Sequence, residues 1–306
     1  MYFIVVTLVI FSYFIVPQIL KLQRAKIVTI DKKLTEVSGI EYDKKNRLWA
    51  INDGGDGAFL HYIQKDGSVG RTVEITNAKN LDWEDMTQDD FGHFFIGDFG
   101  NNDNHRKWLT IYKIENPIDI KTDTTTAEII KFTNPDVIDS TSDDNRHYDL
   151  EAFVYFNNAL YLFSKNRSEP FDGKTMLYRI GDHAANFKAE YIDSFTTCTS
   201  MKELCWITSA AISPDRTKLV LLDSERLWLF QNWHDDDFFS GEAFQIDLGI
   251  VTQKEAVTFY DNNTVVFTDE EFNGMGRNAY VIKLNEAEKI PVINPYHQTN
   301  SNLNNR

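Results

Sequence analysis

Proline and glycine are scarce in this chain, 7 and 15 among 306 residues. That excludes a collagen-like or low-complexity chain. Cysteine is scarcer still, with only Cys198 and Cys205. Without a C-x-x-C pair there is no zinc signature, and the spacing leaves open whether the two are bonded. Positive charge is also short: 31 Lys and Arg face 46 Asp and Glu, a net charge of −15. Nucleic-acid binding requires Lys and Arg against phosphates, so no nucleic-acid partner is expected. The balance suits a soluble surface or a cation binder. Helical periodicity is missing as well, since no amphipathic stretch runs beyond two turns. What is present is 42% apolar and 13% aromatic content, enough for a sizeable core.

One long apolar run stands apart. Residues 1–20, MYFIVVTLVIFSYFIVPQIL, carry no charged side chain, and the basic stretch KLQRAK follows. About 20 apolar residues suffice to cross a bilayer as a helix. A cleaved signal would have a basic start and a small-residue cleavage site, and neither is evident. Residues 1–21 are therefore predicted to be a transmembrane anchor or signal segment, with the anchor favoured. The remainder is expected to be exported, either membrane-anchored or secreted or periplasmic. The basic flank after the run points the other way by the positive-inside tendency.

From residue 22 to 290 the pattern is short strands: LWAIND, HFFIGD, ALYLFSK, KLVLLD and TVVFTD, each bounded by Asp, Asn, Gly or Ser. They belong to a repeat. EVSGIEY from Glu36, DWEDMTQ from Asp82, DLEAFVY from Asp149, ITSAAIS from Ile207 and QKEAVTF from Gln253 align on Ser38, Glu84, Glu151, Ser209 and Glu255. The second strands end 15, 14, 13, 14 and 14 residues after that column. Column spacings of 46, 67, 58 and 46 residues match one four-stranded blade each. The fifth unit lacks a fourth strand, and KIVTID (26–31) can supply it. The predicted fold is an all-β, five-bladed β-propeller closed by an N-terminal outer strand, which removes two open edges. The polar residues 291–306 are read as a tail outside the core.

In a propeller the first strand of each blade lines the central channel, so the column becomes a ring at one mouth. Three carboxylates converging there must be neutralised by protons or by a cation. An all-oxygen donor set suits Ca²⁺ better than zinc. The predicted metal ligands are thus Ser38, Glu84, Glu151, Ser209 and Glu255. The order Ser, Glu, Glu, Ser, Glu resembles the ring of the calcium-activated nucleotidases, or soluble apyrases. That resemblance implies a five-bladed propeller with Ca²⁺ in its channel and, more distantly, nucleotide hydrolysis. The phrases DWEDM, GDFGNN, DLEAF and QKEAV look closer to exported bacterial propellers of unassigned function. Lactonase-type propellers, with six blades and Asn and Asp ligands, do not match the ring.

A phosphoester hydrolase would need cations and a base beside the ion. Candidates on the same rim are Asp98, Arg106, His147 and Arg167, with Lys165, Asp223, Arg226, Asp269, Glu270 and Arg277 in equivalent loops. Two readings stand open. One is a calcium-binding ectodomain serving as a binding or scaffold module, with a small molecule or protein at the channel mouth and the membrane met through the N-terminal segment. The other is a Ca²⁺-dependent nucleotide hydrolase. The polar insert 114–146 is expected to cap the mouth in the first case. Trp83 is read as packing between blades, and DGGDG (53–57) as a turn.

Overall fold

The computed structural model describes residues 26–134, 149–249 and 251–293. The predicted N-terminal segment, His147 and residues 294–306 lie outside them. Among the described residues no helix is long and apolar enough to cross a membrane.

Five sheets, each with four antiparallel strands, form five blades. Their innermost strands are Val37–Tyr42, Trp83–Gln88, Asp149–Phe156, Ser209–Ile212 and Lys254–Phe259. The fifth blade closes as expected. Strand Lys26–Thr29 pairs antiparallel with Asn278–Lys283, so the N-terminal strand completes the sheet of the fifth repeat.

Alternating apolar side chains build the core between blades, and each of the five junctions has its own buried cluster. Trp83 is fully buried in the junction of blades one and two against Trp49 and Ile51, and its indole N–H donates to the Lys79 carbonyl at 3.0 Å. Burying a side chain of this size contributes about 2–3 kcal/mol. On the axis the blades touch through backbone. A Cβ on Gly39 would lie 2.9 Å from the Met86 nitrogen, so only glycine permits this approach.

Three blades gain a fifth strand that the repeat did not reveal. Thr124–Thr125 pairs parallel with the outer strand of blade one. Asn186–Lys188 pairs parallel with Glu128–Thr133, the outer strand of blade two. Ile290–Val292 pairs with the outer strand of blade four, which carries the propeller two residues past the expected boundary. Each covers an edge that would otherwise expose unpaired backbone groups. They also correct the reading of the 114–146 insert. Residues 124–125 lie on the flank of the propeller, not over the mouth, because an open sheet edge recruits them, and 128–133 is the outer strand of blade two itself; residues 135–148 are outside the described set.

Candidate functional site: an acidic channel mouth

The column residues occupy a shared irregularity. Ser38, Glu84, Glu151 and Glu255 each sit where the register of the inner strand shifts against its neighbour. A bulge inserts one residue into the strand and re-aims its side chain. Four blades therefore present an off-register residue at the same mouth.

Three of those residues are carboxylates, and they share their surroundings. Burial pushes Glu84 well up, and the neighbouring charges of Glu151 and Asp53 push it further. Burial likewise raises Glu151 and Glu255. More acids join from the adjoining loops. Carboxylate oxygens of Asp53, Asp82 and Glu84 lie within 4.8 Å of one another. Burial, with Asp53 and Asp149 beside it, brings Asp82 up to about 6. Burial and then Glu255 bring Glu270 up to about 9.

Few positive charges answer them. Lys165, at the end of the second strand of blade three, puts its Nζ 2.9 Å from Glu151 Oε1. Burial disfavours this ammonium, yet Glu151, Glu255, Asp149 and Glu84 outweigh burial and hold it above the usual lysine range. Arg167 pairs with Asp149 and reaches Glu151 at 3.7 Å. The Trp206 ring covers both cations, at 5.2 Å from Lys165 Nζ and 4.9 Å from the Arg167 guanidinium carbon.

Asp98 and Arg106 are brought together, and they serve the loop. Arg106 donates to Asp98 Oδ1 at 2.9 Å and to the carbonyls of Gly100 and Asp98 at 2.8 and 3.0 Å. Asn101 accepts from the Arg106 backbone at 2.8 Å, and its own N–H donates to Asp149 at 2.9 Å. This folds the 98–106 loop so that Gly100 lies against the carboxylates of Glu84 and Asp82, where a Cβ would collide with both.

Ser209 is placed differently from its column partners. Its blade has no register shift, and Ser209 pairs regularly with Leu222. The hydroxyl donates to Asp85 Oδ1 at 3.0 Å and accepts from the Val257 N–H at 3.0 Å. Asp85 is fully buried and also accepts from the backbone N–H groups of Met86, Phe153 and Ala210 at 2.9, 3.2 and 3.1 Å. Blades two, three and four thus meet on one carboxylate, and Ser209 extends the link to blade five. Burial pushes Asp85 well up against these donors.

The remaining acids fit a hard cation. Ser38 Oγ is buried and has no hydrogen-bond partner. The Gly100 backbone forms a wall that a side chain would fill, and the donors are all oxygen. Asp82 and Asp85 were hidden by the repeat alignment, which kept one residue per blade. The signal available was three acids within DWED, a density no simple strand alternation explains.

No family model matches the chain, and no curated protein does. Among solved structures it is similar to a virginiamycin B lyase from Staphylococcus aureus, with 13% identity over 85% of this chain and 67% of that one and a TM-score of 0.40. It is similar to a gluconolactonase from Xanthomonas campestris, with 12% identity, 81% and 71% coverage and a TM-score of 0.44. A PQQ-bound aldose sugar dehydrogenase from Streptomyces coelicolor gives 10% identity, 84% and 96% coverage and a TM-score of 0.46. The chain spans about two thirds of the length of the lyase. Likeness of this order says nothing about activity or ligand, and it adds no support to the nucleotidase resemblance.

Proposed function

We propose that the acidic mouth is a Ca²⁺ site and that the protein is a calcium-binding propeller ectodomain acting as a binding or scaffold module. The observation that carries this reading is the excess of buried and half-buried carboxylates over cations. Asp53, Glu84, Glu151 and Glu255 share the field of one ammonium, with Asp82 against Asp53 and Glu84 and the Arg167 guanidinium at the edge, and the Ser38 hydroxyl of the first inner strand is orphaned. Glu84, Glu151, Glu255, Asp53, Asp82 and Ser38 would hold the ion. Bound there, it would relieve the repulsion and tie blades one, two, three and five together.

The binding role is favoured over phosphoester hydrolysis by what the rim cations do. Arg106 is held by Asp98 and two carbonyls, Arg167 by Asp149 and Asn102, and Lys165 by Glu151. A phosphate would need at least one of them released. Export is supported by the disulfide joining Cys198 and Cys205 at a Cα separation of 5.5 Å, since such bonds persist in oxidising compartments. The ligand is then a small molecule or protein segment at the mouth.

Thermal melts in EDTA and in millimolar Ca²⁺, on wild type, Glu84→Gln and Glu151→Gln, test the site. Ca²⁺ is expected to raise Tm in wild type alone, by about 2.7 kcal/mol of stability at a hundredfold excess over Kd. An absent rise would remove the ion. Phosphate release from nucleoside diphosphates in the same samples would restore the hydrolase reading.

A further inference from the structure

A second feature lies at the opposite end of the channel. A groove of about 440 Å³ runs between the first and last blades. Its floor is Ile27, Tyr42, Tyr62 and Tyr260, and its rim carries Lys45 and Lys65. Ile27 and Tyr260 are large apolar side chains left about half exposed, at 53% and 47%. Tyr42 and Tyr260 meet edge to face with centroids 5.3 Å apart, so the floor is a firm aromatic surface. Lys45 and Lys65 have no ion-pair partner among the described residues. The nearby Arg47 is different: it is held by Asp43 at 2.7 Å.

The sequence places this groove near the charge-free run. The run ends at Leu20, and the described chain begins at Lys26, whose strand supplies Ile27 to the groove. Six residue steps reach at most about 20 Å. If residues 1–20 cross a bilayer, this tether keeps the groove within reach of the headgroup zone of that bilayer. Lys21, Arg24 and Lys26 add charge on the connecting stretch. Tyrosines with an apolar body and polar tip favour that depth, and lysines there favour anionic lipid.

We propose that this groove is a docking site for an anionic phospholipid of the membrane in which the N-terminal run is anchored, with the tyrosine floor on the glycerol and upper acyl region and Lys45 and Lys65 on the phosphate. This orientation turns the acidic mouth away from the bilayer, toward its ligand. It is independent of the metal reading, because the two ends of the channel share no residue.

The test uses the full chain in nanodiscs of phosphatidylcholine, with and without phosphatidylglycerol, in EDTA so that the mouth plays no part. Amide hydrogen exchange is followed over residues 42–48 and 60–65. The expected result is slower exchange in the phosphatidylglycerol discs. Each lysine near an anionic surface contributes about a fivefold preference, so Lys45→Glu with Lys65→Glu should remove the slowing by more than about tenfold. Both positions are on the surface, and an unchanged Tm shows that the double variant folds. Equal exchange in the two lipids overturns the proposal. So does slowing that survives the charge reversal, which would leave an apolar contact without headgroup recognition. Failure of the full chain to enter the discs overturns it too, since the anchored geometry would be gone.

Discussion

The two ends of the channel handle their acids in opposite ways. At the end distant from the mouth, most carboxylates have partners of their own. Asp43 accepts from the Trp49 indole at 2.9 Å and from Arg47 at 2.7 Å. Asp89 holds His93 at 2.8 Å and Lys113 at 3.3 Å. Burial works against both charges, but the hydrogen bonds outweigh it and keep both acids below the usual carboxylate range. Glu41 is the exception there, pushed up to about 7 by burial despite bonds from the Tyr42 N–H and the Thr258 hydroxyl. At the mouth Asp149 and Asp98 hold Arg167 and Arg106, but the balance fails for the rest, and Asp82, Glu84, Glu151, Glu255 and Glu270 all rise. Acids satisfied by protein donors are structural. Acids gathered without enough donors are the better sign of a site that takes something up.

The sharpest break in this comparison lies between the two ends, at Asp85. Its carboxylate receives four protein donors from three blades, and removing it strands them all in a buried place. Asp85→Ala is expected to cost about 3–5 kcal/mol, the scale of a buried network left unsatisfied. In a domain this size that lowers Tm by roughly 5–10 °C, in EDTA and in Ca²⁺ alike. A Ca²⁺-rescued loss would mean that Asp85 belongs to the ion site instead.

The next largest effect is on pH. A carboxyl whose folded value lies above its unfolded one holds its proton more tightly when native. Its stabilising contribution is complete below the unfolded value and is lost as pH rises through the folded one. For Glu270 the window runs from 4.5 to about 9, and for Asp82 from 3.8 to about 6. In EDTA the protein should therefore lose stability between about pH 5 and pH 9. The paired acids Asp43 and Asp89 act oppositely, and their contribution is lost only in more acid solution. Ca²⁺ should flatten the fall, because an ion at the mouth does what the protons did. Melting curves across this range, with and without Ca²⁺, check it. A Tm that climbs with pH in EDTA would show that the mouth acids carry no strain.

How far this was legible in the sequence follows from the same physics. The blade repeat was readable because strand alternation and turn residues recur at nearly fixed offsets, and the closing strand followed from the count. The ring positions were readable in four blades because a bulge holds one acid or serine off the regular register. Ser209 was not, since its hydroxyl serves Asp85, a contact between residues 124 positions apart. Lys165 was visible only as a loop cation. Its place among the carboxylates depends on how blade three closes on the axis, which no local pattern encodes. The short added strands escaped for a similar reason: two or three residues carry no periodicity, and sheet edges recruit them.

Lys165 gives the next test in size. It is the ammonium paired with Glu151, and any cation entering the ring competes with it. Lys165→Met keeps the stem under Trp206 and removes the charge. In EDTA the variant should melt lower than wild type, because the carboxylates lose a counter-charge. In titration calorimetry it should bind Ca²⁺ about tenfold more tightly, or about 1.4 kcal/mol. Weaker binding would make Lys165 a support for the ligand carboxylates and not a competitor for them.

The smallest effect carries the comparison most directly, through the sign of two single changes. Glu84→Gln at the mouth removes a charge that its neighbours oppose. Asp89→Asn at the other end removes a charge that His93 and Lys113 favour. Measured in EDTA at the alkaline end of that pH range, Glu84→Gln should raise stability by about 1 kcal/mol, the order of relieving one poorly solvated like-charge contact. Asp89→Asn should lower it by about 1 kcal/mol, as expected of a partly exposed pair. Adding Ca²⁺ should reverse the first difference, because wild type gains the ion and the variant does not, and should leave the second unchanged. Two changes of the same sign in EDTA would mean that the mouth is as well satisfied by its own residues as the opposite end is.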